Sequence, residues 1–573
     1  MPQDFKVHGS NDKALFNLTV HRGEGMVLLA MDWKKGKPPL NFAGFAIEYK
    51  EPGGTAFFTV KNRISFPGSE KEPVALRLTT LRSPIQKFRW VHFPRNAQKT
   101  GPFTYRVTPV FMNEQDELSY GDPQTADIEL RNETYPGQLN VAFTRGFVSS
   151  QAFIDKYGPA KIFSTLIPAK ADDGPKFVPT HPKAKEALEW MGFESRDVIL
   201  AVLDEAVKDK TAQVRVVCYD LNEPEIINRL AKLGKRLKII VDDSGSHKPK
   251  TSGESQAENT LVASAGRDQV KRQHMGQLEH NKTIAVTGKV NKAVCGSTNF
   301  SWRGLFVQSN NAIVVKGKKS IQPFLDSFEN FWNHSNDVAG FAGTVSAKWN
   351  PLNLDGIDAK VAFSPHSSSN AMLDAVAKDT EKTTSSLFFS LAFLYQTPGA
   401  MKDAIVKVTN KDKMFVYGIS DKEVGGLDVK TPNGNLPVTA PAALTGKSVP
   451  EPFRSEATGG AGVRMHHKFL VIDFDKPTAR VYMGSYNFSA TADTKNGENL
   501  LCIRDRKVAT AYMVEAVRIF DHYEFRVSQQ KADTAQTKLE LAKPPRTKGE
   551  RPWWDRYYTD PLPMRDRKLF AGS

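Results

Sequence analysis

Cysteine is scarce in this 573-residue chain: Cys218, Cys295 and Cys502 are scattered and form no C-x-x-C pair. That excludes a disulfide framework and a thiolate metal or redox site, and reads as three buried, reduced thiols. Long apolar runs are also missing. The densest, SLFFSLAFLY at 386–395, is strand-sized and well short of the roughly 18 residues of a membrane span. The opening MPQDFKVHGSNDKALF has no charged-then-apolar leader pattern, so a soluble, cytoplasmic protein is expected, with signal-independent export left open. There is no Walker loop, no G-x-G-x-x-G fingerprint, no zinc spacing and no evident carboxylate cluster, so neither cofactor nor metal is expected.

What the chain has in excess is positive charge. Its formal net charge is +15 and its pI about 9.4, which favours an anionic partner: nucleic acid, an anionic membrane surface or a phosphate-bearing substrate. Hydrophobic residues make up 40% and charged residues 25%, as in a folded protein. At about 150 residues per domain, the length suggests three or four domains.

Residues 13–131 read as short strands between turn signals, the pattern of an all-β sandwich. The candidates are LFNLTV, MVLLAMDW, FAGFAIEY, TAFFTV, ALRLTTL, FRWVHF, FTYRVTPVF and ADIEL. Trp33 late in the second, the run Gly44–Tyr49 after a proline-rich turn, and Tyr105 on a later strand resemble a fibronectin type III module. An accessory or docking role is expected for it. A connecting stretch follows, and from about 181 helical and strand patterns alternate. KAKEALEWMGF, VRVVCYD, EPEIINRLAKLGKR and LKIIVDD come first; NAMLDAVAKDT, SLFFSLAFLYQ, AMKDAIVKVTN and MFVYGISD repeat the theme after 360. Two tandem α/β halves with mostly parallel sheets are expected. The polar segments 244–258 and 421–462 read as loops over a site, and RPWWDRYY near the end as part of a surface tail.

The strongest signal occurs twice. One copy has His280 and Lys282, then Gly296-Ser297-Thr298-Asn299; the other has His466 and Lys468, then Gly484-Ser485-Tyr486-Asn487. Each H-x-K opens an apolar, β-branched run, so its two side chains should share a strand face, as should Ser and Asn of each G-S-x-N. Two such surfaces face to face make a pocket with two imidazoles, two ammonium groups and neutral donors. Such a pocket suits a phosphate: lysines and amides hold the oxygens, one histidine attacks phosphorus, and the other protonates the leaving oxygen. No metal is needed for this chemistry.

H-x-K-x4-D followed by G-S-x-N, twice in one chain, resembles the phospholipase D superfamily over about residues 181–530. The resemblance implies cleavage or transfer at a phosphodiester through a covalent phosphohistidine. It implies an α/β fold of two pseudo-twofold-related α-β-α lobes, preceded here by the sandwich. The expected units are a sandwich at 1–135, a linker at 136–180, lobes at 181–345 and 346–530, and a basic, aromatic tail at 531–573. The second motif is complete, with Asp473 and Glu498; the first has Thr287 and Asn310 in their places. Tyrosyl-DNA phosphodiesterases, relatives in that superfamily, likewise lack the motif Asp. Expected site residues are therefore His280, Lys282, Ser297, Asn299, His466, Lys468, Asp473, Ser485, Asn487 and Glu498.

The two lobes' departures suggest different roles. His280 is expected to be the nucleophile, kept neutral by an amide such as Asn310 or Gln308; His466 is expected to be the general acid, kept protonated by Glu498. His467 should point to the opposite strand face in a structural role. His247 and His274 are expected to be solvated, and Lys248, Lys250, Lys271 and Arg272 to form either a basic rim or a solvated charged loop. Trp302 is expected in a core; Trp553 and Trp554 could stack on bases, meet a membrane or pack. The substrate expectation is a glycerophospholipid, with a nucleic acid and a non-catalytic binding role as alternatives. A monomer is expected, because both motifs lie in one chain.

Overall fold

A computed structural model describes residues 4–130, 133–146, 156–157, 163–394, 399–420 and 465–572. In its N-terminal region, strands Lys6–His8, Phe16–Arg22, Val27–Trp33 and Arg89–His92 form one antiparallel sheet. A second sheet comprises Phe42–Lys50, Phe58–Thr59, Pro102–Met112, Leu118–Tyr120 and Gln124–Glu129. Alternate residues of both, among them Phe16, Leu18, Phe45, Ile47, Phe103 and Tyr105, share one core. The expected strand ALRLTTL is instead a single helical turn, Val74–Arg77, entered from Pro73. Val74 and Leu76 stay exposed there, so the segment has no alternating buried face to pair.

Strand Val27–Trp33 is buried on both faces, which explains its unbroken apolar run. Val27, Leu29 and Met31 enter the sandwich core, whereas Leu28 and Ala30 enter the core of the following α/β region.

That region contains two seven-stranded sheets with closely matched strand orders. The first runs Leu139–Phe143, Asn311–Lys316, Lys292–Gly296, Lys282–Thr287, Gln213–Cys218, Leu237–Asp242, Val270–Gln273. The second runs Asn350–Pro351, Asp358–Ser364, Glu498–Arg504, Arg480–Gly484, Lys468–Ile472, Ser386–Leu391, Phe415–Ile419. Six strands correspond in the same order; each sheet adds one of its own at opposite edges. The expected helices form at Ala184–Lys208, Pro224–Ala231, Leu373–Thr380 and Ala400–Thr409. Pro224 opens its helix where a missing N–H costs nothing, and the Glu223 carboxylate accepts from Ile226 N at 2.9 Å.

Two expectations are corrected. The sheets are mixed rather than mostly parallel: parallel pairing joins Leu237–Asp242 to both of its neighbours, and Ser386–Leu391 to Phe415–Ile419. The motif strands are linked by connections too short for a parallel crossover, so they pair antiparallel. The stretch 136–180 is also more than a linker, because Leu139–Phe143 pairs with Asn311–Lys316 at the edge of the first sheet.

The expected surface tail is a strap. Trp554 and Tyr557 are buried in the sandwich core, and Trp553 donates to Phe42 O at 3.0 Å. Helix Pro561–Ala571 then packs on strand Val27–Trp33 and brings Phe570 against Phe388 and Phe415 of the second sheet. Buried ion pairs hold it: Arg567 with Asp32, and Arg89 with Asp566 at 2.9 Å and with Asp521 of the long helix Arg506–Thr534.

Gly296 and Gly484 end their strands at φ of +140° and +150°. A Cβ there would stand 2.5 Å from Asn311 O and 2.1 Å from Asn499 O, backbone atoms that have little room to move. Gly484→Ala is therefore expected to cost more than about 2 kcal/mol in urea unfolding. Asp566→Ala, which leaves Arg89 with Asp521 alone, is expected to cost about 3 kcal/mol in the same measurement. A loss below about 1 kcal/mol in either variant would contradict the packing described.

Candidate active site

Each H-x-K sits at the mouth of its sheet. Strands Lys282–Thr287 and Lys468–Ile472 begin at the lysine, with the histidine two residues earlier on the approach. Each lysine ammonium turns back on the same copy: Lys282 Nζ donates to His280 O, and Lys468 Nζ to His466 O at 2.8 Å. The two sheets meet so that the imidazoles face each other, with ring centroids 6.2 Å apart and planes at 69°. The lobes are stitched there by backbone bonds, His466 N to Ser309 O at 3.2 Å and Gly497 N to Leu278 O at 2.8 Å.

The imidazole partners are crossed between lobes. His280 Nδ1 donates to Glu498 Oε2 at 2.7 Å, and His466 Nδ1 donates to Asn310 Oδ1 at 2.9 Å and to Ser297 O at 3.2 Å. The expected pairing of Asn310 with His280 and Glu498 with His466 is thus corrected. The glutamate begins a strand and the asparagine directly precedes one, each beside its own motif, but both point across the interface, and this cannot be read from spacing within one copy. The flanking residues cross in the same way: Asn499 Nδ2 donates to Asn281 Oδ1 at 2.7 Å, and Asn311 Nδ2 meets His467 Nδ1 at 3.3 Å.

The serines hold these partners in place. Ser297 donates to Asn310 Oδ1 at 2.9 Å, and Ser485 accepts from Asn499 N at 2.9 Å and Nδ2 at 3.2 Å. Asn299 Oδ1 and Asn487 Oδ1 are buried without a hydrogen-bond partner among the described residues. Because both imidazoles use Nδ1 for their anchors, Nε2 is the nitrogen left to each for chemistry.

Electrostatics follow from burial. His280 and His466 are both held well below the usual imidazole range, first by loss of solvent and then by the two lysines. Burial pushes Glu498 up to about 8, with Lys282 and the Ser485 hydrogen bond opposing it, and pushes Lys282 down to about 8. Burial and the lysines therefore favour neutral rings. An anion placed between the rings would supply the charge that lets one of them keep a second proton.

Asp473 is not part of this pocket. It lies just past the far end of strand Lys468–Ile472, about 20 Å along the chain from His466 at strand rise. There its carboxylate accepts from Thr384 N at 3.0 Å, Ser385 N at 2.8 Å and Thr384 Oγ1 at 2.9 Å, pinning the turn before Ser386–Leu391. Its place in the motif reflects a loop anchor, so its expected catalytic membership is corrected.

Two residues that the sequence reading missed complete the walls. Tyr219 packs edge-on to His280 at 4.8 Å with Lys282 Nζ 5.0 Å from its centroid; Phe393 stands 6.5 Å from His466 with Lys468 Nζ at 5.7 Å. They follow the corresponding strands Gln213–Cys218 and Ser386–Leu391, so extending the repeat alignment by one strand would have found them.

His247 is buried rather than solvated. Burial disfavours its charge, but hydrogen bonds to Asp220 at 3.2 Å and Asp242 at 2.7 Å outweigh this and push it up to about 10. Asp220, His247 and Glu254 bring donor atoms within 4.8 Å of one another, a carboxylate–histidine cluster that separated loops conceal in the sequence. Part of the expected loop 244–258 is in fact the start of helix Gly253–Ala265, capped by Ser252. Segment 421–462 lies outside the described residues.

The other candidates are structural. His467 is buried against Glu515 at 3.1 Å, His274 bonds Asp243 at 2.6 Å, and Trp302 is buried with Nε1 on Gly174 O at 3.0 Å. Arg272 and Lys271 hold backbone carbonyls, Asp242 O at 3.0 Å and Trp332 O at 2.5 Å, whereas Lys248 and Lys250 are exposed. No described helix is long and apolar enough to cross a membrane.

Comparison with known proteins bears on both copies of the motif. The family model described as "Cardiolipin synthase, PLD-like domain" matches residues 199–332 and 441–520, which contain both H-x-K and both G-S-x-N segments. A phospholipase D of Rickettsia prowazekii (strain Madrid E) is 44% identical over 48 residues, 8% of this chain and 22% of that relative. The chain thus spans about a fifth of the length of the curated relatives it matches. Among solved structures, the phosphatidylserine synthase of Haemophilus influenzae Rd KW20 aligns at 11% identity and TM-score 0.42, over 60% of this chain and 92% of that one. Nuc of Salmonella typhimurium, a phospholipase D family member, aligns at 26% identity and TM-score 0.21, over 24% and 88%. The match takes in both motif-bearing segments, and over these the chain is similar to the PLD-like domain family.

Proposed function

We propose that the chain is a phosphodiesterase that hydrolyses or transfers the phosphatidyl group of a glycerophospholipid through a phosphohistidine. The observation that carries this reading is the facing pair of buried imidazoles, each anchored through Nδ1 and flanked by a buried lysine. In the first step, His280 Nε2 attacks phosphorus and a P–N bond forms. The P–O bond to the leaving alcohol breaks, and His466 Nε2–H delivers the proton that alcohol needs. In the second step, water or an acceptor alcohol attacks, His466 takes its proton, and the P–N bond breaks. Lys282, Lys468 and the amides of Asn299 and Asn487 hold the phosphoryl oxygens and oppose the charge that builds on them. Attack needs reacting atoms about 3–3.5 Å apart, and the two ring centroids stand 6.2 Å apart.

The crossed anchors supply a different reason for the nucleophile assignment. A ring phosphorylated on Nε2 becomes a cation, and Glu498 behind His280 Nδ1 offsets that charge, much as a triad carboxylate supports its imidazolium. His466, on the neutral Asn310, gives up its proton more readily. The lipid reading rests on what the similar proteins are called, phospholipase D and cardiolipin synthase. It is favoured also by burial of Trp554 and packing of Trp553, which removes the tail as a base-stacking platform.

Acid-stable trapping is unsuitable for a P–N bond, so the labelled enzyme should be quenched in alkaline denaturant and mapped. Label on His280 is expected, and label on His466 would reverse the roles. Glu498→Gln keeps an acceptor for Nδ1 but loses the charge, and is expected to slow phosphoenzyme formation by about 10²–10³-fold. Lys282 carries its charge below about pH 8 and loses it above. KM is therefore expected to rise with pH above that point, by roughly tenfold per unit. Substrate class is tested on phosphatidylcholine, phosphatidylethanolamine and phosphatidylglycerol vesicles beside single- and double-stranded DNA and RNA, in EDTA, with His280→Ala as control. Cleavage of nucleic acid with lipid untouched would overturn the lipid reading, and loss of all activity in EDTA would overturn the lysine-based mechanism.

A further inference from the structure

A second basic site lies at the far end of the second lobe, where Asp473 pins its turn. A cleft of about 480 Å³ opens there between the N-terminal segment, the second sheet and the C-terminal helix. Lys6, Lys413, Lys476, Arg506, Arg565 and Lys568 line it, and Asp475 is the one carboxylate among the described lining residues. His21 on its wall is pushed down to about 3 by burial, with Lys6, His8 and Arg506 adding to the fall, and donates from Nε2 to Phe570 O at 2.7 Å. Asp475 is already shared: it pairs with Lys476 at 3.3 Å and accepts from Ser385 Oγ at 2.5 Å. Arg506 Nε is buried with no hydrogen-bond partner among the described residues. Burial and then the charge of Arg506 hold Lys6 below the usual lysine range.

Six cations around one shared carboxylate repel one another, and a fold tolerates this where an anion offsets the repulsion. The volume is that of a small-molecule site and exceeds what one phosphate group fills. The flexible exposed lysines suit a point-charge grip on phosphate oxygens, and the arginines a directed one. The cations come from three separate parts of the chain, so a bound anion would also tie the strap to the second lobe.

We propose that this cleft binds a ligand presenting multiply charged phosphate groups, at a site separate from the imidazole pocket. The proposal does not depend on the catalytic reading. Its ligand is either free, as a diphosphate, or the phosphomonoester head of a lipid.

The test is calorimetric titration of the full chain with sodium pyrophosphate and with inorganic phosphate, alongside flotation with phosphatidic acid in phosphatidylcholine vesicles. Wild type and His280→Ala are expected to bind pyrophosphate equally, more tightly than phosphate, with a Tm that rises with ligand. The exposed pair Lys413→Glu/Lys568→Glu is expected to weaken binding at least tenfold while leaving turnover at the imidazole pocket unchanged. Lys476→Glu provides an independent second variant with the same expected direction. Vesicle binding that depends on these lysines, with no pyrophosphate binding, would identify the lipid head as the source. Binding that is lost in His280→Ala but kept in both lysine variants would overturn the site, as would no lysine-dependent binding of either probe.

Discussion

Each buried imidazole of the facing pair is anchored by a side chain from the opposite lobe, and this exchange governs the design of the site. His280 depends on Glu498 and His466 on Asn310, while Asn281 and His467 are held by Asn499 and Asn311. Neither lobe can orient its own ring, so the pocket exists only when the two sheets meet in this register. Burial makes that dependence costly to violate. A ring that lost its Nδ1 acceptor would leave a desolvated polar group without a partner and would be free to turn. The glycines that end strands Lys292–Gly296 and Arg480–Gly484 allow the close approach that the exchange requires.

Within a symmetric frame, one substitution makes the two halves chemically different. A carboxylate stands behind one ring and an amide behind the other, although the lysines, serines and asparagines around them correspond. Burial and the lysines favour neutral rings in both cases. The carboxylate therefore distinguishes the rings most once a ring becomes cationic, because its charge then offsets that ring as well as Lys282. That is the physical ground for giving the rings different work.

The sandwich is joined to this core rather than tethered to it. Strand Val27–Trp33 serves two cores at once, and the final helix reaches back to it through Arg567–Asp32 and Arg89–Asp566. Aromatic residues that read as a surface tail are thereby withdrawn from solvent. The same strap forms one wall of the basic cleft, so part of the chain's positive excess is concentrated far from the imidazoles.

The repeated H-x-K and G-S-x-N pairs, their strands and the identity of the four principal side chains were determined locally, since strand periodicity and residue type depend only on near neighbours. So were most strands of the sandwich and the four main helices. The unbroken run MVLLAMDW likewise carried its double burial in its composition. Tertiary structure decided which partner serves which histidine, because Glu498 and Asn310 act across an interface on residues 218 and 156 positions away. It also moved Asp473 out of the pocket, brought Tyr219 and Phe393 into it, buried His247 among carboxylates and turned the tail into a strap. Each of those outcomes depends on long-range packing between lobes or strands, where spacing along one copy of a motif carries no information.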